Sequence, residues 1–161
     1  MRPIAVGETL RRVIAKWLVR STAAVGLAHG LAPLQTAFAK GGPCEVASMC
    51  YATAAAGMPT GPDGALHAML QLDISNAFNT IDREVVLAEL RSNCPSLLPW
   101  VHASFQPAPL LCGKQTLWST AGVQQGDPLG PLLFATGLQS VLCVQSPGRM
   151  ACIRGTWMMA R

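Results

Sequence analysis

Charge is scarce in this sequence, and acid is missing altogether from its last stretch: Asp, Glu, Lys and Arg make up 12% of the 161 residues, and neither Asp nor Glu follows Asp127. A chain so poor in charge and half hydrophobic is not an intrinsically disordered one. The six cysteines, at positions 44, 50, 94, 112, 143 and 152, form no C-x-x-C pair, and the three histidines offer no matching spacing, so neither a zinc site nor a disulfide framework is expected. The opening Met-Arg-Pro-Ile-Ala-Val-Gly-Glu lacks the apolar run of a secretory signal, which makes a reducing intracellular compartment the expectation. An uncharged stretch does run from Pro128 to Gly148, but Gly130, Pro131, Gln139, Ser140 and Gln145 interrupt it and argue against a membrane span. No internal repeat or low-complexity tract is evident.

What is present suits one packed domain, or part of one, at 17.0 kDa, with 15 glycines and 12 prolines as loop punctuation. The net charge of +4 is unevenly spread. Residues 1–40 hold Arg2, Arg11, Arg12, Lys16, Arg20 and Lys40 against Glu8 alone, whereas acids outnumber bases between residues 41 and 127. A basic arm of this kind suits a phosphate backbone, and it equally suits ordinary solvated charge.

Leu10, Val13, Ile14, Trp17 and Leu18 stand at i, i+3, i+4, i+7 and i+8, which predicts an amphipathic helix with that face buried. Arg12, Lys16 and Arg20 form a stripe on another face, readable as a phosphate track or as plain solubility. A second helix is expected from Pro43, with Val46, Met49, Cys50 and Thr53 inward. The turn formers between Gly57 and Gly64 lead into a strand, where Leu66, Ala68, Leu70, Leu72 and Ile74 point to the core and Asp73 to the other side. After a turn, Asp82 caps a helix through Glu84, Val86 and Leu90 that ends near Asn93 and Pro95. Leu110-Leu111-Cys112 and Gln115-Thr-Leu-Trp118 are the arms of a hairpin around Gly113-Lys114. A last helix has Pro131 in its first turn and a weak stripe at Leu132, Thr136, Gln139 and Cys143.

Asp73, at the carboxyl end of a strand, reads either as a turn residue or as a ligand for a divalent ion. Its surroundings sharpen the choice. Leu72-Asp73-Ile-Ser-Asn-Ala77-Phe78-Asn-Thr-Ile81-Asp82 resembles the first palm motif of reverse transcriptases, D-x-x-x-A-F-D-x-[IV]. Downstream, Gly122-Val-Gln-Gln125-Gly126-Asp-Pro128-Leu-Gly-Pro131-Leu-Leu-Phe134 resembles the next, G-x-x-Q-G-x-P-x-S-P-x-L-F. Arg2-Pro3-Ile4 followed by Lys16 is similar to the fingers segment R-P-I...K of non-LTR retrotransposon and group II intron enzymes, and Gln35-Thr-Ala-Phe38 is a looser match to Q-x-G-F. The resemblance spans residues 2–142 and is nearest to the non-LTR type; residues 143–161 form a basic tail that does not resemble the family.

The resemblance implies an α+β fold, a partial right-hand polymerase of fingers and palm with an antiparallel palm sheet packed on helices. It implies that Asp73, with the main-chain carbonyl of Ile74, holds catalytic Mg²⁺. Phe78 becomes a ribose gate rather than a core aromatic, Gln125 and Gly126 line the nucleotide and template pocket rather than form a mere turn, and Arg2, Arg12 and Lys16 contact template or triphosphate. The implied partners are an RNA template, a DNA primer and deoxynucleotides; enzymes of this kind act on chromosomal DNA or in cytoplasmic particles, so location stays open and a nuclear one would rest on the family alone. The family's [FY]-x-D-D hairpin, which supplies the other two metal-binding aspartates, has no counterpart in these residues. One carboxylate cannot fix two divalent ions, so the chain is expected to be inactive alone, the fragment of a retroelement polymerase. Gly130, Asn79 and Ala37 stand where Ser, Asp and Gly are usual. The other reading is a non-catalytic nucleic-acid-binding remnant or a degenerate product without function.

Overall fold

A computed structural model describes residues 8–32, 35, 45, 48–49, 52–53, 56 and 74–145, with side chains to residue 142. Asp73, Arg2, the strand from Leu66 to Asp73, the turn-rich run before it and the tail beyond Gln145 lie outside the described residues. Helix α1 (Thr9–Val19) and helix α2 (Thr22–Leu31) are joined at Arg20 and Ser21 and touch each other. Ser21 makes the junction, because its Oγ accepts from the Ala24 amide at 3.3 Å and so satisfies one of the unpaired N–H groups that open α2. After a left-handed Asn76 (φ 53°), the short α3 (Ala77–Thr80) leads to α4 (Arg83–Asn93). Asp82 caps α4 as expected, its carboxylate accepting from Glu84 N at 2.8 Å. A 3₁₀ turn (Pro95–Leu97) and α5 (Leu98–Ser104) follow, then β1 (Ala108–Cys112), β2 (Gln115–Ser119) and α6 (Gly130–Gln145).

Helices α4 and α6 make the largest helix-to-helix contact and carry the core between them. Val86, Leu87 and Leu90 of α4 are buried, as are Leu132, Leu133, Phe134, Ala135 and Thr136 of α6. Close approach is possible because α6 places Gly137 there: a Cβ at this position would lie 2.7 Å from Ile81 Cδ1 and 2.8 Å from Val86 Cγ2. The one buried polar residue of that face, Thr136, satisfies its hydroxyl on the Leu132 carbonyl at 2.8 Å. Cys94, Leu97 and Val101 close one end, and Ala24, Leu27 and Leu31 of α2 extend the same cluster. At about 1.5–3 kcal/mol for each fully buried large apolar side chain, this cluster is the main source of stability.

Among the described residues the sheet is one antiparallel ribbon, β1 against β2, with Pro109 opposite Trp118 and Leu110 opposite Leu117. Gly113 at φ +60°, followed by Lys114 on the negative side, has the φ signs of a type II′ turn. The ribbon stands out from the helices, with Leu111 82% and Trp118 63% exposed. The described residues are therefore mostly helix with one two-stranded antiparallel sheet, and among them no helix is long and apolar enough to cross a membrane.

Three expectations need correction. In α1 the buried residue is Ala15, with Ile14 and Leu18 half-buried, while Leu10, Val13 and Trp17 face solvent. The helix is turned because Arg11 is drawn inward by an acid far along the chain, and because a small alanine lets α1 approach its neighbour. Met49 and Thr53 are helical but exposed, since Glu45, Ser48, Met49, Ala52, Thr53 and Ala56 recur at helical spacing on one solvent-facing side. Ile74, expected on the core face of a strand, is 46% exposed and lies outside any strand, just before the Ser75–Asn76 turn.

Candidate functional site

The two segments that carry the sequence motifs meet in space. Phe78 O accepts from Val123 N at 2.7 Å, and Ile81 O accepts from Gly122 N at 3.1 Å, so residues 78–81 and 122–123 are tied backbone to backbone. Glycine is required at 122 on two grounds. Its φ is +70°, and a Cβ there would run into the Asn79 backbone. Phe78, on α3, is half-buried and stacks on Phe134 of α6, with ring centroids 4.8 Å apart and planes at 17°. Residue 35 joins the same neighbourhood: Gln35 Nε2 donates to Ala135 O at 2.7 Å and to Gln139 Oε1 at 2.9 Å, both on α6.

From Val123 the chain runs through a series of turns into α6. Gln125 is half-buried and Gly126 exposed at φ +101°. Asp127 organises the exit. Its Oδ1 accepts from Leu129 N at 2.9 Å and its carbonyl from Gly130 N at 3.0 Å, an Asx-type arrangement that launches the helix. Its Oδ2 pairs with Arg11 Nη2 at 3.2 Å, with only 10% of the Asp127 side chain and 24% of the Arg11 side chain exposed.

A second arginine holds the other end of the loop. Arg83, in the first turn of α4, donates from Nε to Gly122 O (2.9 Å), from Nη1 to Phe105 O (2.8 Å) and Ser119 O (3.0 Å), and from Nη2 to Ser119 Oγ (2.8 Å) and Ala121 O (3.2 Å). Its guanidinium also lies 5.1 Å from the centroid of the Phe105 ring. Burial first, and the nearby Arg11 second, lower the Arg83 pKa below its ordinary value. A guanidinium stays protonated in proteins, so the shift marks a desolvation cost that the fan of carbonyl acceptors offsets. Arg11, Arg83, Ser104, Phe105, Gly122 and Val123 share a small cleft between the two arginines.

Of the residues singled out in the sequence, the structure brings Phe78 together with the loop that carries Gln125 and Gly126. Arg12 and Lys16 stay apart from it, exposed on α1, and it is Arg11 that reaches the loop. Asp73 and Arg2 are outside the described residues, and Ile74 precedes α3 at the surface. Family models, curated proteins and solved structures give no match to this chain. Among the described residues there is no group of three His, Cys, Asp or Glu side chains able to hold a metal ion. The acids nearest the motifs are committed to structure, Asp82 to its cap and Asp127 to Arg11 and the start of α6. The described residues thus do not fit a two-ion centre, and no metal-dependent step is assigned to them.

Arg11, Arg83 and Phe134 were not legible as site residues. The only signal for Arg83 was its place immediately after a capping Asp, where its side chain can reach back over the preceding loop. Nothing in the sequence links Arg11 to Asp127, which are 116 positions apart.

Proposed function

We propose that this chain is a fingers and palm fragment of a retroelement RNA-directed DNA polymerase of the non-LTR type, inactive by itself. The observation that carries the reading is spatial. Two segments that each resemble a palm motif, residues 72–82 and 122–134, are neighbours through Phe78–Val123, Ile81–Gly122 and Phe78–Phe134. Gln35, in the third and looser match, also reaches α6, the helix that follows the second motif.

In this reading Asp73 and the Ile74 carbonyl are one arm of a metal site whose other carboxylates lie on an [FY]-x-D-D hairpin not found in the 161 residues. Only that completed carboxylate set would hold Mg²⁺, which would supply the Lewis-acid chemistry of phosphoryl transfer in the intact enzyme. This chain's own contribution is the loop that Arg83 and Arg11 hold, which fixes Gln125 and Gly126 beside the motif containing Phe78. RNA template, DNA primer and deoxynucleotides are the proposed ligands of the intact enzyme.

The test is primer extension on an RNA template. The chain alone is expected to incorporate no deoxynucleotide, with or without Asp73→Asn. Joined after Gln145 to the palm hairpin and thumb of a non-LTR reverse transcriptase, it is expected to extend the primer, and Asp73→Asn to abolish that. A folded fusion that extends nothing would sink the reading. Extension by the unfused chain, lost in Asp73→Asn, would overturn the claim of inactivity alone.

A further inference from the structure

The β1–β2 ribbon has two edges, and they are not alike. A two-residue turn closes with the amide after it donating to the carbonyl before it, so Cys112 and Gln115, which flank Gly113-Lys114, direct their backbone groups at each other. Backbone direction alternates from there. Leu110 with Leu117 and Ala108 with Ser119 face inward, while Pro109, Leu111, Thr116 and Trp118 turn their N–H and C=O groups to the outside. Pro109 therefore deletes an outward donor, which blunts the β1 edge and leaves the ribbon's own ladder whole. The β2 edge has no such defect, since Thr116 and Trp118 each offer an amide and a carbonyl. Among the described residues no third strand meets either edge, and no loop or side chain takes up the Thr116 or Trp118 amide.

The open edge is complementary to itself. Laid antiparallel on a second copy about a twofold axis at Leu117, it sets Thr116 opposite Trp118 of the second copy and Trp118 opposite Thr116. Outward groups then meet outward groups in two hydrogen-bonded pairs. An aromatic side chain across from a β-branched one is a favoured cross-strand pair, and Leu117, 55% exposed, meets its own equivalent at the axis. Between Gln106 and Ala121 the one charged residue is Lys114, at the turn. It gives a nucleic acid or a charged peptide little to pair with. Its two copies stand about 20 Å apart in this arrangement, well beyond a screening length of about 8 Å at physiological salt. With β1 blunted, addition stops at two copies instead of running on into a fibre.

We propose that β2 is a dimerisation edge: two copies of the chain join through it into one four-stranded antiparallel sheet, in the order β1–β2–β2–β1. Two short strands make a contact at the small end of protein interfaces, below about 1,200 Å² in total, so the dimer is weak and concentration-dependent. It goes beyond the polymerase-fragment reading and does not depend on it.

Sedimentation velocity of the full chain from about 1 to about 500 µM tests this, with reductant present because Cys112 is exposed. Monomer is expected to pass to dimer and to nothing larger. In residue-resolved hydrogen exchange the Thr116 and Trp118 amides, fast in the dilute monomer, are expected to slow as dimer forms, while the Leu111 amide on the blunted edge stays fast. Thr116→Pro takes one outward amide from each copy and none from the ribbon's own ladder, and is expected to weaken dimerisation about thirtyfold. Thr116→Lys keeps that amide but sets a charge against Trp118 of the second copy, and is expected to weaken it too. Leu111→Ser, on the same exposed face but the other strand, is expected to leave it unchanged. Circular dichroism checks that each variant is folded. A chain monomeric throughout, its edge left to some other strand, overturns the proposal. So do Thr116 and Trp118 amides that are slow at every concentration, which would mean that the chain's own residues cover the edge. Assemblies larger than two, or a Leu111→Ser loss equal to that of Thr116→Pro, would show an adhesive apolar face in place of edge pairing and overturn it as well.

Discussion

Arg83 concentrates more polar interaction than any other described side chain. One planar fork serves acceptors at Phe105, Ser119, Ala121 and Gly122, and so joins the end of α5, the end of β2 and the loop bearing the second motif. Arg83→Ala removes the donors and leaves partly buried carbonyls unpaired, which is expected to cost about 2–3 kcal/mol in urea unfolding. Arg83→Lys should restore little, because an ammonium is a point charge that cannot reach carbonyls arrayed around a plane. A lysine variant as stable as the parent would show that only the charge matters. Gly122 is the second sensitive residue. Gly122→Ala adds a Cβ against the Asn79 backbone at a φ of +70°, so a loss of about 2 kcal/mol or more is expected, read as a lowered unfolding midpoint. An alanine variant within about 0.5 kcal/mol of the parent would mean the two motif segments can separate without consequence.

Among the elements, the β1–β2 ribbon contrasts with α4 and α6. A two-stranded ribbon is marginal in water, and this one leaves Leu111, Leu117 and Trp118 exposed while Arg83 holds its base. Its amides are expected to exchange with solvent at least about a hundredfold faster than those of α4 and α6, measured by hydrogen exchange with mass spectrometry. Comparable protection would require a partner surface on the ribbon. The elements also differ in how far the sequence revealed them. The cap at Asp82, the hairpin around Gly113 and the start of α6 near Pro131 were legible because each rests on local chemistry. Helix α2 was not. Thr22–Leu31 contains two glycines and no clear stripe, and its one local signal is the Ser21 cap. The face of α1 was misread for a different reason: periodicity counts apolar side chains and cannot weigh an ion pair to Asp127. The candidate site divides the same way. Motif spacing exposed Phe78, Gln125 and Gly126, whereas the arginines that position them depend on contacts across the chain.

At the scale of the whole molecule, the α1–α2 pair is fastened to the α4–α6 core at a few identifiable points. Ala24, Leu27 and Leu31 supply the apolar contact, Gln35 bonds to α6, and Arg11 pairs with Asp127 at the helix start. The polar ties differ in worth. Gln35 makes a short bond to a backbone carbonyl, which would be left without that partner in Gln35→Ala, about 1 kcal/mol. Arg11–Asp127 is largely shielded from water, yet desolvation takes back much of its attraction, so about 1 kcal/mol net is expected there too. The double variant Arg11→Ala/Gln35→Ala should therefore lower the opening free energy of the helical pair by about 2 kcal/mol, a roughly thirtyfold rise in exchange for amides of α1 and α2. Amides of α4 and α6 should keep their protection, because their core lies between those helices and does not pass through either tie. Equal loss in both regions would mean that the chain opens as one cooperative unit, and that the loop carrying Gln125 and Gly126 cannot be loosened from α1 without unfolding the molecule.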